Sequence, residues 1–156
     1  MLSFRRAGVE DLDLLVRTRI EILRAANRLP DDADMRAVEA ASRDYYLRAL
    51  SDGTHTAILA FDDGAFAGAG GVSYYRVMPT YHNPTGECAY IMNMYTRPSH
   101  RHRGVATRTL DLLAADARQR GVTHIGLEAT PMGRPLYEKY GFKAAEGEMV
   151  LPPQNP

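Results

Sequence analysis

The chain has 156 residues, enough to bury a core without staples, and its 45% apolar and 24% charged content is that of an ordinary globular protein. A single cysteine, Cys88, excludes a disulfide scaffold, and apolar runs such as Ala57–Phe61 fall far short of a membrane span. Lys+Arg and Asp+Glu number 19 each, so the net charge is zero and no whole-surface attraction to nucleic acid or an anionic membrane is expected.

Leu2–Arg6 reads as a short strand whose arginines sit where a signal peptide would be apolar, so a cytoplasmic location is expected. Gly8 caps a helix with Glu10 and Asp11 in its first turn and Leu12, Val16, Ile20 and Leu23 along one apolar face. Leu29-Pro30-Asp31-Asp32 breaks it, and a second helix follows from Asp34 to Leu50, ending near Gly53. Thr54–Asp62, the turn Asp62-Asp63-Gly64 and Ala65–Tyr75 form a hairpin. Arg76–Gly86 is a loop longer than the usual connection.

Glu87–Thr96 is the next strand, stopped by Pro98. The helix Gly104–Arg120 is the clearest of all, with Ala106, Leu110, Leu113 and Ala117 on one stripe and Gly121 just past its end. His124–Ala129 is a strand, Pro135–Tyr140 a short helix closed by Gly141, and Met149–Leu151 a last strand ended by Pro152-Pro153. The order β-α-α-β-β-β-α-β-α-β describes one α/β (α+β) domain over residues 1–156, a mixed central sheet flanked by helices.

Charge balance hides a local excess. No acidic residue lies between Glu87 and Asp111, while Arg97, Arg101, Arg103 and Arg108 do, with His100 and His102 among them. They fall in the loop that joins a strand to the strongest helix. Free N–H groups and the dipole at a helix start favour an anion, and Gly104 and Ala106 keep the approach slim. A solvated run of surface arginines explains the same residues equally well on local physics.

Arg101-x-x-Gly104-x-Ala106 after a strand resembles the (Gln/Arg)-x-x-Gly-x-(Gly/Ala) signature of the GNAT acyltransferases (Gcn5-related N-acetyltransferases). Leu136-Tyr137-Glu138-Lys139-Tyr140-Gly141-Phe142 is similar to that family's second motif, Leu-Tyr-x-x-x-Gly-Phe, and the helix and strand expected between the two are present. The detailed resemblance spans Glu87–Phe142. It implies acetyl-CoA as co-substrate, no metal, and acetyl transfer to a primary amine by direct attack in a ternary complex. In the family the strand before the loop splays from its neighbour and pairs with the pantetheine arm, which here falls on Met94, Tyr95 and Thr96. The pyrophosphate would lie on the amides of Arg101, His102, Arg103, Gly104, Val105, Ala106 and Thr107.

Tyr137 matches the family's general acid, a phenol placed to protonate the departing thiolate. The competing reading is a packed helix residue with its hydroxyl on a backbone carbonyl. Thr130 departs from the pattern, standing where the family often has Asn, and Gly133 stands where Ala is usual. The general base stays open between Glu87 and Glu128, on strands flanking the expected site, with Tyr81 and His82 of the long loop as alternatives.

Gly68-Ala69-Gly70-Gly71 is not a dinucleotide loop, because strand rather than helix follows; close packing or a bulge accounts for it. His100-x-His102 with Cys88 is a poor ligand set for zinc. Cys88 itself reads as packing. Two further readings compete with the enzyme. One is a non-catalytic acyl-CoA-sensing module, which would not need an acid at the sulfur. The other is a nucleic-acid-binding protein using the arginine cluster, against which the zero net charge argues. A small-molecule amine is the preferred acceptor, and the resemblance leaves a homodimer open.

Overall fold

A computed structural model describes residues 1–154. The strands are β1 (Leu2–Arg6), β2 (His55–Asp62), β3 (Ala65–Arg76), β4 (Glu87–Thr96) and β5 (His124–Leu127). The α-helices are α1 (Leu12–Asn27), α2 (Arg36–Asp52), α3 (Val105–Gln119) and α4 (Arg134–Tyr140). The strands lie in chain order in one sheet. β1 to β4 are antiparallel neighbours, whereas β4 and β5 are parallel, the pairing that needs α3 as its crossover.

Both faces of the sheet are covered, and β2 shows why its run is apolar almost throughout. Ala57 and Leu59 pack with Leu15, Val16, Ile22 and Tyr46 of α1 and α2. Ile58 packs on the other side with Val72, Ile91, Leu110, Leu113 and Ala117, beneath α3. The period of two along the strand therefore feeds two separate cores.

Several expectations shift. A 3-10 turn, Val9–Asp11, precedes α1, and the Asp11 carboxylate accepts from the Gly8 amide at 2.9 Å while receiving both terminal nitrogens of Arg5. The buried stripe of α1 is Leu15, Val16, Thr18 and Ile22, rotated from the expected Leu12–Val16–Ile20–Leu23 face, and Thr18 can be buried there with its hydroxyl satisfied on the Leu14 carbonyl at 2.8 Å. The expected last strand does not form: Met149, Val150 and Leu151 are 93, 80 and 91% exposed and lie beyond any ladder. A short β-prone run with no partner edge has no hydrogen bonds to offset its ordering. No helix of the described residues is long and apolar enough to cross a membrane.

Candidate active site

The site is made where β4 leaves β5. Their pairing ends at Ile91 with Leu127, yet β4 continues to Thr96, so the backbone of Met92–Thr96 has no strand beside it on that side. On the other side the register with β3 slips between Ala69/Tyr95 and Gly71/Met92, which puts an extra residue into β4. Asn93 takes the bulge, at φ 59°, a left-handed conformation that Asn tolerates better than most residues.

The glycine run opposite accommodates this. A Cβ on Gly68 would lie 2.5 Å from the Tyr95 carbonyl oxygen, and one on Gly70 would lie 2.5 Å from Met94 Sδ and 2.6 Å from Thr109 Cγ2. Close approach of β4 and α3, together with the bulge, is thus the reason for these glycines.

Beyond β4 the chain makes a 3-10 turn, Pro98–His100, and enters α3 through His102 at φ 62° and Gly104 at φ 81°. The helix starts with free amides facing a cleft of ≈ 770 Å³. Met94, Tyr95, Thr96, Arg101, His102, Gly104, Val105, Ala106 and Thr107 line it on one side, and Thr130, Leu136 and Tyr137 on the other. Arg103 is the exception among the expected cofactor residues. Its guanidinium turns away to Asp62 at 2.8 Å, although its backbone stays in the loop.

The cluster of positive charge is smaller than the sequence suggests. Arg97 is paired with Glu21 of α1 at 3.1 Å and Arg103 with Asp62, so acids distant in sequence neutralise two of the four arginines. Arg101 and Arg108 have no carboxylate partner among the described residues, and of the two only Arg101 lines the cleft.

Tyr137 stands at the junction of two cavities. Besides the large cleft it lines a second one of ≈ 340 Å³, shared with Arg19, Leu23, Tyr90, Met92, Asn93, Glu128 and Thr130. Its ring packs edge-on against Phe142 at 6.1 Å, and a Cβ on Gly133 would come within 3.0 Å of it. Burial alone pushes its phenol above the ordinary value. No described residue accepts a hydrogen bond from it, so the structural alternative of a hydroxyl tied to a carbonyl has no support. Thr130 closes the turn that leads into α4, its Oγ1 accepting from the Gly133 amide at 3.2 Å and its carbonyl from the Arg134 amide at 2.9 Å.

The two carboxylates considered as bases are not equivalent. Glu128 lines the second cavity with Tyr137 and receives the Tyr90 hydroxyl at 3.5 Å. Glu87 opens β4 opposite Arg76, about 16 Å of strand before Met92, and lines a separate hollow with Asp52, Tyr74 and Arg120. It is not brought to Tyr137. Tyr81 and His82 lie in the loop at that same remote end, both exposed. Cys88, also there, is buried against Gly86 and Asn83. Among the described residues no group of three or more His, Cys, Asp or Glu side chains converges as a metal site.

A family model described as the acetyltransferase (GNAT) family matches residues 20–142. The chain belongs to the GNAT acetyltransferase family. A predicted acetyltransferase from Clostridium acetobutylicum, solved with acetyl-CoA, is 31% identical, with a TM-score of 0.88 over 97% of this chain and 96% of that one. A GCN5-related N-acetyltransferase from Ralstonia eutropha is 30% identical, with a TM-score of 0.85 over 97% and 98%. An aminoglycoside antibiotic 6'-N-acetyltransferase from Acinetobacter haemolyticus shares the fold at 18% identity, with a TM-score of 0.71 over 99% of each chain. No curated protein sequence matches. As a GNAT chain, the protein has the splayed strands, the Arg101–Ala106 turn and the α4 tyrosine in one place.

Sequence reasoning missed two contributors to this site. Asn93 carried a readable signal, a turn-forming residue inside an otherwise apolar strand. Arg19 carried none, since one arginine on an arginine-bearing helix reads as a solvated face.

Proposed function

We propose that this protein transfers an acetyl group from acetyl-CoA to a primary amine by direct attack, with the chain acting as one acyltransferase domain. The observation that carries the reading is the meeting of two cavities at Tyr137. One is bounded by a free strand edge and a helix start, and the other opens toward α1.

The residues present fit the co-substrate. The β5-side edge of Met92–Thr96, free beyond Ile91, offers the donors and acceptors that an amide-bearing pantetheine arm would use as an added strand. The amides from Arg101 to Thr107 and the unpartnered Arg101 suit a pyrophosphate. The acceptor would enter through the smaller cavity and lose a proton to Glu128, directly or through water. Its lone pair then forms a bond to the thioester carbonyl carbon. As that centre collapses, the C–S bond breaks, Tyr137 gives its proton to the departing sulfur, and the nitrogen sheds its second proton to solvent to complete the acetamide, solvent in turn restoring the phenol. Burial holds this phenol above its ordinary value, so it keeps its proton at neutral pH and yields it as negative charge builds on the departing sulfur.

The test is release of free thiol from acetyl-CoA in the presence of a broad panel of amines and peptides. Amine-dependent release is expected. Tight binding of CoA with no turnover on any amine would overturn acetyl transfer and leave an acyl-CoA sensor.

A further inference from the structure

The smaller cavity adjoins a third, of ≈ 450 Å³, and the two share Arg19, Met92 and Asn93. Arg19 projects from α1 between them. Its NH1 donates to Asn93 Oδ1 at 2.9 Å, which fixes the guanidinium against the β4 bulge but leaves its charge uncompensated. Arg5, Arg43, Arg97 and Arg103 each hold a carboxylate within 4 Å, and Arg19 holds none among the described residues. A partly buried guanidinium without a counter-charge loses hydration and gains little back, unless a ligand supplies the anion.

The wall of the third cavity carries hydrogen-bond donors rather than acids. Tyr45 Oη lies 2.9 Å from His55 Nδ1 and 2.7 Å from Ser73 Oγ. His55 is 5% exposed, and its Nε2 is buried without a partner. Burial, and then the charge of Arg19, push this imidazole down to about 4, so it is neutral at pH 7. We place its proton on Nδ1, since nothing accepts from Nε2. His55 then donates to Tyr45 and Tyr45 to Ser73. The Ser73 hydroxyl is left with only the Met92 thioether, at 3.6 Å, a weak acceptor. No Asp or Glu lines this cavity, and Glu128 is the one acid lining the smaller one.

We propose that the acceptor is an amine that also carries an anionic group, a carboxylate or a phosphate, bound by Arg19 with the Ser73 hydroxyl. This rests on the acetyl-transfer reading above. Holding the anion at Arg19 leaves the amine in the part of the smaller cavity that Glu128 and Tyr137 line, the side where proton removal and thiolate protonation are needed. The same charge repels polycationic amines, which call for carboxylates where this protein has a guanidinium.

Paired acceptors separate the outcomes. Amino acids are compared with their carboxamides, and 2-aminoethyl phosphate with ethanolamine, with spermidine as the polycation. In at least one pair kcat/KM is expected to favour the anionic member by about 10- to 100-fold, the range of a charged hydrogen bond, and the pair that responds distinguishes carboxylate from phosphate. Arg19→Gln, which keeps an amide for Asn93, should bring that ratio close to one, and Arg19→Lys should keep part of it. Ser73→Ala should lower the same ratio, and calorimetric binding of acetyl-CoA checks that each variant is folded. Neutral amines or spermidine used as well as the anionic ones, or a ratio untouched by Arg19→Gln, would overturn the anion site while acetyl transfer stands. If no amine is turned over, calorimetry of the anionic amines with the CoA-bound protein still decides. Binding that Arg19→Gln abolishes supports the site, and no binding of any anionic amine refutes it.

Discussion

Replacing Tyr137 with Phe removes one hydroxyl from a ring whose packing against Phe142 and Gly133 is otherwise kept. No described residue depends on that hydroxyl for a hydrogen bond, so the melting temperature should hardly move. If the phenol is the acid, kcat should fall by about 10²- to 10⁴-fold, the usual worth of a positioned proton donor. The KM for acetyl-CoA should stay close to that of the unmodified enzyme, because the loss is confined to the transition state. Steady-state kinetics with an accepted amine, read beside a melting curve, check both halves. Near-normal kcat would remove Tyr137 from the chemistry and leave the cofactor cleft as it is.

At the scale of elements, the start of α3 combines two demands at Gly104. Its φ of 81° is a conformation that a side chain occupies only under strain, although a Cβ there would meet nothing within 4 Å. Gly104→Val should therefore lower the melting temperature even without ligand, by the cost of a left-handed branched residue, about 1–3 kcal/mol. A branched side chain at the mouth of the anion cradle should also weaken CoA binding on the order of 100-fold, the scale of a lost pair of charged hydrogen bonds. Calorimetry and thermal melts measure the two effects separately, and undiminished CoA affinity would mean the pyrophosphate lies elsewhere.

The elements themselves were readable where one periodicity dominates. β4 and α3 match their expected spans almost residue for residue, because alternation and the helical stripe both report a buried face. The failures are places where a distant partner decides. Met149–Leu151 has strand composition but no neighbouring edge. Glu87 and Glu128 look alike on paper, and only the direction of β4 and the ending of β5 put one at Tyr137 and the other a strand's length away. The arginine cluster lost two members to Glu21 and Asp62, neither of which is near it in sequence.

Across the whole molecule, one carboxylate ties the sheet to its crossover helix. Asp116 of α3, 6% exposed, accepts from Thr56 of β2 at 2.9 Å and from Tyr74 of β3 at 2.5 Å. It also pairs with Arg6 of β1, and with Arg120, whose guanidinium stacks on the Tyr74 ring at 3.9 Å. Burial opposes its charge, but the two hydroxyls and two arginines together hold its pKa below the ordinary carboxylate value. Arginine does the same for Asp11 and Glu21, which receive Arg5 and Arg97 respectively.

A folded pKa below the unfolded one means that the stabilisation is complete above the unfolded value, about 4, and is lost as pH falls through the folded value. The melting temperature should therefore be nearly flat from pH 7 to about 5 on account of these groups and drop steeply below about 4. Asp116→Asn keeps the shape but not the charge. At pH 7 it should cost about 1–3 kcal/mol, and with about 2–4 °C per kcal/mol for a domain of this size the melt should shift by several degrees. Because Asn does not titrate, the gap between variant and unmodified protein should shrink as the solution is acidified, and circular-dichroism melts across pH 3–7 would reveal it. A gap that stays constant over that range would show that the network stabilises the fold by its shape and hydrogen bonds, with no part played by the charge of Asp116.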